Sequence, residues 1–349
     1  MQQKRHGSAV GRSWLEDVIP LATPLILFVD PASVCNFQCR FCPTGDRALI
    51  DATGRWQGLL HLDVFKKVID DLAEFEQPLN TLRLYKEGEP LLNKALPEMI
   101  RYARASGRVE HIDTTTNGFL LTPQCSTRLI EAGIDAITIS VDGLSDEMFY
   151  DVTQTRVSFA KFVENVRFLY ENRGRCHVRI RMPRHVLSAD EKERFYDVFR
   201  GIADTVELDN LTPCWPEFDM ESRMRDFVPE GRFHQPYGEV DTCPYIFYSV
   251  SIASDGSVIL CFIEWARKLV IGDVRKQSLK SIWDGDELFA HQLAHLRGQR
   301  NQNPVCAACG QLQHCSPDNL DPHREMLAER LVAGRTRKPS ARRFLKVTA

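Results

Sequence analysis

The chain has 349 residues, of which 43% are hydrophobic and 26% charged, and its formal net charge is -3. It is long enough for one large domain plus a small one around a sizeable core. The near-neutral charge excludes whole-protein attraction to nucleic acid or anionic lipid. The first apolar run, Leu25 to Val29, is too short for a signal h-region or a membrane span; eleven cysteines without an export signal then point to a reducing, cytoplasmic setting in which thiols serve metals or catalysis.

Short β-branched runs recur along the chain at Pro24–Val29, Leu82–Tyr85, His111–Thr115, Ala136–Val141, Val178–Met182 and Thr205–Leu208. Helical patterns separate them, such as Leu62, Phe65, Ile69, Leu72 and Phe75, or Phe159, Phe162, Val163, Val166 and Tyr170. Thr122 with Pro123 marks a helix start and Gly133 its end, and Ser188 with Glu191 fits a capping box. Six such βα units predict an α/β fold with a parallel sheet under helices, either an open sheet or a barrel. Residues 213–242, rich in proline, read as a linker. Residues 243–320 hold five of the cysteines, a hairpin turning at Asp255-Gly256 and a helical stretch near 278–296, and read as a small metal-stapled unit. Residues 1–20 are an N-terminal extension, and 321–349 a basic tail expected to be solvated.

The chemistry concentrates in "SVCNFQCRFCPTGD", where Cys35, Cys39 and Cys42 form C-x3-C-x2-C after the first strand. Three thiolates are one ligand short of a structural zinc site. On a four-iron cluster they leave one iron open to substrate or cofactor. The motif resembles that of the radical S-adenosylmethionine (SAM) superfamily, and the resemblance implies a partial (β/α)6 TIM-like barrel from 21 to 212. It also implies a 4Fe–4S cluster whose open iron is chelated by SAM, which is cleaved on one-electron reduction to a 5′-deoxyadenosyl radical. Phe41 matches the aromatic position beside the adenine. "EGEP" resembles the family's GGEP motif at Gly88, Glu89 and Pro90, with Glu87 in place of the first glycine. "TTNG" with Asn117, "ISVDG" with Ser140 and Asp142, and "RIRMP" with Arg179 match further SAM-contacting segments in the right order.

The second cluster, Cys243-x12-Gly256-x4-Cys261 followed by Cys306-x2-Cys309-x5-Cys315, resembles the SPASM/twitch extension found behind such barrels. Full SPASM domains need two further cysteines; position 319 is Asn and no cysteine follows Cys315. The resemblance therefore implies one auxiliary 4Fe–4S cluster on Cys243, Cys261, Cys306 and Cys309, with Cys315 spare or replacing one of them. A zinc ribbon is the alternative for this segment in isolation.

Cys214, in "LTPCWPEF", could face the barrel mouth and return a hydrogen atom to a substrate radical. Glu207 and Asp209 at the end of the sixth strand are candidate bases. Three functions compete. The first is a radical SAM dehydrogenase acting on a secondary alcohol of a small polar molecule, an aminocyclitol or sugar, with an auxiliary cluster that accepts an electron; it rests on resemblance to single-cluster twitch enzymes of the 2-deoxy-scyllo-inosamine dehydrogenase type. The second is a peptide maturase or an epimerase, and the third a zinc-binding interaction protein. The expected partners are a small-molecule substrate and a one-electron donor such as flavodoxin or ferredoxin, with no nucleic acid and no membrane.

Overall fold

A computed structural model describes residues 14–184, 187–223, 230–232, 235–315 and 318–336. The six anticipated strands are β1 (Ile26–Val29), β2 (Leu79–Arg83), β3 (Val109–Thr116), β4 (Ala136–Ser140), β5 (His177–Pro183) and β6 (Thr205–Asp209). They pair in parallel in the order β6-β5-β4-β3-β2-β1. β2 begins three residues earlier than the apolar run suggests. Leu84 lies past its end yet still donates to the Asp113 carbonyl at 2.9 Å. The sheet does not close, since β6 is an edge, so the architecture is a partial barrel.

Local signals account for the helices between strands. Thr122 accepts the Cys125 N–H at the head of the helix Pro123–Ala132, which stops at Gly133 with φ of 90°. Ser188 and Glu191 make both bonds of a capping box. Along β5, Val178, Ile180 and Met182 are fully buried in the apolar core, so the strand alternation turns Arg179 and Arg181 to the opposite, concave face.

The region after Cys243 is not a free-standing unit. Its strands β7 (Ser249–Ile252), β8 (Ser257–Ile259) and β9 (Val270–Asp273) extend the barrel sheet, with β7 parallel to β1 and the other two antiparallel. An open barrel leaves the outer side of β1 with unpaired backbone groups, and the wholly buried β7 satisfies them. The hairpin turns at Gly256, whose φ of 88° suits glycine. The helical stretch divides into Leu279–Trp283 and Asp286–Leu296, broken at Asp284-Gly285.

Two expectations change. The 213–242 segment is more than a linker, because Cys214, Phe218 and Met220 are buried and cover the barrel mouth. The basic tail is not solvated throughout, because Arg324–Thr336 is a helix with Leu327 and Leu331, one turn apart, buried in the core. Residues 337–349 lie outside the described residues. Among the described residues, no helix is long and apolar enough to cross a membrane.

Candidate active site

The loop after β1 brings Cys35, Cys39 and Cys42 together at the C-terminal end of the sheet, where α/β folds place their sites. The Phe37 N–H donates to Cys35 Sγ at 3.4 Å, and the Cys39 thiol donates to Asp142 Oδ2 at 3.8 Å. Burial pushes Cys35 up to about 12, and burial together with Asp142 and the other two thiols pushes Cys39 well above its ordinary value. A cationic metal centre takes buried thiols such as these as thiolates. Among the described residues no three Cys, His, Asp or Glu side chains close on one point as single-ion ligands do. Three thiolates suit a four-iron cluster that keeps one iron open, whereas a structural zinc ion takes four protein ligands.

The second-strand loop is pressed against this one. A Cβ on Gly88 would stand 2.2 Å from the Val34 carbonyl oxygen and 2.4 Å from that of Ala32, so only glycine allows the approach. Glu89 is consumed structurally: its carboxylate accepts from Thr116 Oγ1 at 2.6 Å and from the N–H groups of Leu91 and Asn117 at 2.9 and 2.8 Å. Burial nonetheless pushes it up to about 7. Pro90 starts a short 3-10 turn behind the loop. Asn117 donates to Asn36 Oδ1 at 2.9 Å and approaches Cys35 Sγ at 3.9 Å, which places it behind the cysteine loop.

Glu87 turns away from this face into a buried ionic network. Its carboxylate meets Lys86 at 2.6 Å, Arg267 at 2.7 Å and Arg55 at 3.0 Å. Burial pushes Glu87 up, but Lys86, Arg55 and Arg267 outweigh it and hold the carboxyl at about 2. Its carbonyl accepts from Thr44 Oγ1 at 2.7 Å, and that hydroxyl accepts from Trp265 Nε1 at 2.9 Å. Glu87 thus ties the Cys42 loop to the segment following Cys261.

A cleft of about 270 Å³ opens beside Phe41 and Cys42. Ser140, Asp142, Asp209 and Cys214 line it, as the sequence suggests, together with apolar walls from Met182, Pro183, Trp215, Met220 and Phe262. Burial pushes Asp142 up to about 7, with Arg181 opposing. Arg179 and Glu207 do not reach the cleft. They pair with each other one layer deeper on the concave face, and Arg181, two residues further along β5, takes the cleft position and donates to Ser140 Oγ at 3.2 Å. Asp209 sits between Arg232 at 2.9 Å and Arg181 at 3.7 Å. Alternation along "RIRMP" could have found Arg181; nothing periodic marks Arg232.

A second pocket is lined by Cys243, Cys261, Cys306 and Cys309. Burial and the neighbouring thiols push Cys243 well above its ordinary value, Cys261 to about 12 and Cys306 to about 11. Four thiols in a dry pocket suit a fully ligated 4Fe–4S cluster. Cys315 does not line this pocket; it is buried near Cys214, Cys309 and Arg232. Ile263 and Gln311 are walls of both the pocket and the cleft.

Comparison with known proteins agrees with this geometry. Residues 29–187 match the Radical SAM superfamily and 243–310 the SPASM iron–sulfur cluster-binding domain. GTP 3′,8-cyclase of Chlorobaculum tepidum is 36% identical over 124 residues, 35% of this chain and 34% of that protein. Fe-coproporphyrin III synthase of Methanosarcina barkeri is 32% identical over 112 residues, 32% of this chain and 26% of that protein. The matched stretch therefore spans about a third or less of each of these relatives. Among solved structures, BtrN in complex with AdoMet and 2-DOIA has a TM-score of 0.52 at 18% identity, covering 82% of this chain and 93% of that one. Streptococcus suis SuiB bound to precursor peptide SuiA has a TM-score of 0.60 at 16% identity, covering 86% and 73%. The anSMEcpe enzyme with bound AdoMet has a TM-score of 0.58 at 15% identity, covering 90% and 100%. The chain belongs to the radical SAM superfamily, an enzyme family using a 4Fe–4S cluster and SAM, and carries behind its partial barrel a SPASM region for an auxiliary iron–sulfur cluster.

Proposed function

We propose that this protein is a radical SAM dehydrogenase that oxidises a secondary alcohol of a small polar molecule, an aminocyclitol or sugar, to a carbonyl. The observation that carries the reading is the pair of walls, Ile263 and Gln311, shared by the cleft and the four-cysteine pocket. When bound, the first cluster and SAM supply a 5′-deoxyadenosyl radical that takes one hydrogen atom, and the auxiliary cluster supplies an acceptor for the electron left behind. Cys35, Cys39 and Cys42 hold the first cluster and Cys243, Cys261, Cys306 and Cys309 the second. Gly88 lets the second-strand loop press against the cysteine loop, and Phe41, Ser140, Asp142 and Arg181 would hold SAM from the cleft side. Asp209, between Arg181 and Arg232 at the cleft, takes the hydroxyl proton. The apolar walls exclude water from the reacting carbon. Reduced flavodoxin or ferredoxin, in a cytoplasmic setting, supplies the first electron.

BtrN, whose structure holds AdoMet and 2-DOIA, supports a small cyclic substrate, although its likeness is one of fold. The stretch shared with GTP 3′,8-cyclase spans only about a third of either protein, so that protein's activity is not carried over to this chain. Anaerobic turnover with aminocyclitols and sugars, read by mass spectrometry, tests the proposal. Loss of two mass units with one 5′-deoxyadenosine per product supports it. An unchanged mass in ordinary water, with one carbon-bound deuterium gained in deuterated water, would mean epimerisation through Cys214, and a peptide crosslink would mean a maturase.

A further inference from the structure

We infer that His295 is a hydrogen-bond donor to the auxiliary cluster and raises its reduction potential. His295 lies in the last turn of the helix Asp286–Leu296 and is only 2% exposed. It lines the same pocket as the four cysteines, and neither ring nitrogen has a hydrogen-bond partner among the described residues. Burying a polar group unpaired costs about 1–3 kcal/mol, which a fold tolerates where a partner outside the polypeptide fills the gap.

Chemistry narrows what that partner is. An imidazole in either tautomer offers at least one ring N–H. Cys243, Cys261, Cys306 and Cys309 already provide one thiolate for each iron of a cubane, so no iron requires the ring. The acceptors in the pocket are the sulfides and thiolates of the cluster and Glu264 Oε1, and that oxygen makes no hydrogen bond to the ring. Arg300 lines the pocket too, but its Nη1 donates to the Cys306 carbonyl and its Nε faces Asp241 at 3.7 Å, whereas the His295 ring makes neither kind of contact.

A donor to cluster sulfur binds the reduced state more strongly, because that state carries one more negative charge, and the potential rises accordingly. His295 thereby makes the auxiliary cluster a better electron acceptor. This holds whichever substrate is oxidised, because it rests on the cluster and not on the dehydrogenase reading.

The test uses the full chain with Cys35, Cys39 and Cys42 changed to Ala, reconstituted anaerobically so that the auxiliary cluster alone is observed. EPR-monitored potentiometry is compared for this protein, for His295→Leu, which removes the donor, and for His295→Gln, which supplies an amide N–H. The expected result is about four irons per chain in all three, a more negative midpoint in the leucine variant, and recovery of most of the shift in the glutamine variant. An unchanged midpoint with iron retained overturns the inference. Loss of iron from both variants overturns it as well, since the ring would then be a ligand. Should the leucine variant fail to fold, pulsed EPR of the reduced cluster in protein carrying 15N-histidine decides: weak 15N coupling is expected, and either no coupling or a ligand-strength coupling refutes the donor role.

Discussion

Glu87 offers a test that needs neither cluster nor SAM. Its side chain is 1% exposed and contacts three cations, of which Arg55 is 0% and Arg267 6% exposed. Glu87→Gln keeps the shape and removes the charge, leaving Arg55, Lys86 and Arg267 around a neutral amide. Breaking a buried ion pair costs about 3–5 kcal/mol. Asp30 tempers this, because burial and then the Glu87 charge push it up to about 7; without Glu87 it ionises more readily and offsets part of the lost charge. We therefore expect the lower end, about 3 kcal/mol. At about 2 °C per kcal/mol for a chain this size, the melting temperature should fall by about 6 °C, read by circular dichroism on apo-protein at pH 8. Arg267→Met should cost a similar amount, and the double variant should cost about 1.5–3 kcal/mol less than the sum of the two. A shift below about 1 °C, or strict additivity, would refute the account of Glu87 as the anchor between the two cysteine loops.

Gly88→Ala puts a methyl group against the Val34 and Ala32 carbonyls; it should cost about 1–3 kcal/mol, and each 1.4 kcal/mol felt at the loop weakens SAM binding about tenfold by calorimetry. Replacing Cys35, Cys39 and Cys42 by Ala should abolish 5′-deoxyadenosine formation, whereas replacing Cys306 and Cys309 should leave some SAM cleavage and block product, both read by chromatography. Glu89 has a folded-state pKa raised from 4.5 to about 7. The neutral carboxyl is thus favoured by folding, and the parent should lose stability relative to Glu89→Gln as pH rises from 4.5 to about 7, levelling above, in urea titrations of apo-protein. A parent-to-variant difference constant across that window would contradict the buried environment assigned to Glu89.

What was legible in the sequence is what short-range physics controls. Thr122 with Pro123 and Ser188 with Glu191 act within one helical turn, and Cys35, Cys39 and Cys42 sit in one loop, so spacing alone reports them. Depth in a barrel is another matter. Arg179 and Arg181 share a face of β5, and only the stagger of β5 against β6 decides which reaches the mouth. Arg232, Phe262, Gln311 and His295 arrive from segments remote in the chain, and no local period marks them. The helix Arg324–Thr336 was hidden because Leu327 and Leu331 are a sparse apolar stripe among charges, too few to signal burial without the core they meet.

The parallel pairing of β7 with β1 explains why Glu87 can act as an anchor at all. β1 leads to the Cys35 loop, while Cys261 lies two residues past the end of β8, which pairs with β7. The two cysteine sites therefore follow strands of one sheet, β1 and β8, with β7 held between them by backbone hydrogen bonds to both. Lys86 extends the same restraint by donating to the Glu264 carbonyl at 2.9 Å, and the Glu264 N–H donates to the Cys261 carbonyl at 3.2 Å. Segment 213–242 is not part of this frame; it covers the cleft with Cys214, Trp215 and Met220. Substitutions there can reshape the substrate's surroundings while the separation of the two sites stays set by the sheet, so the chain divides a variable roof from a fixed redox frame.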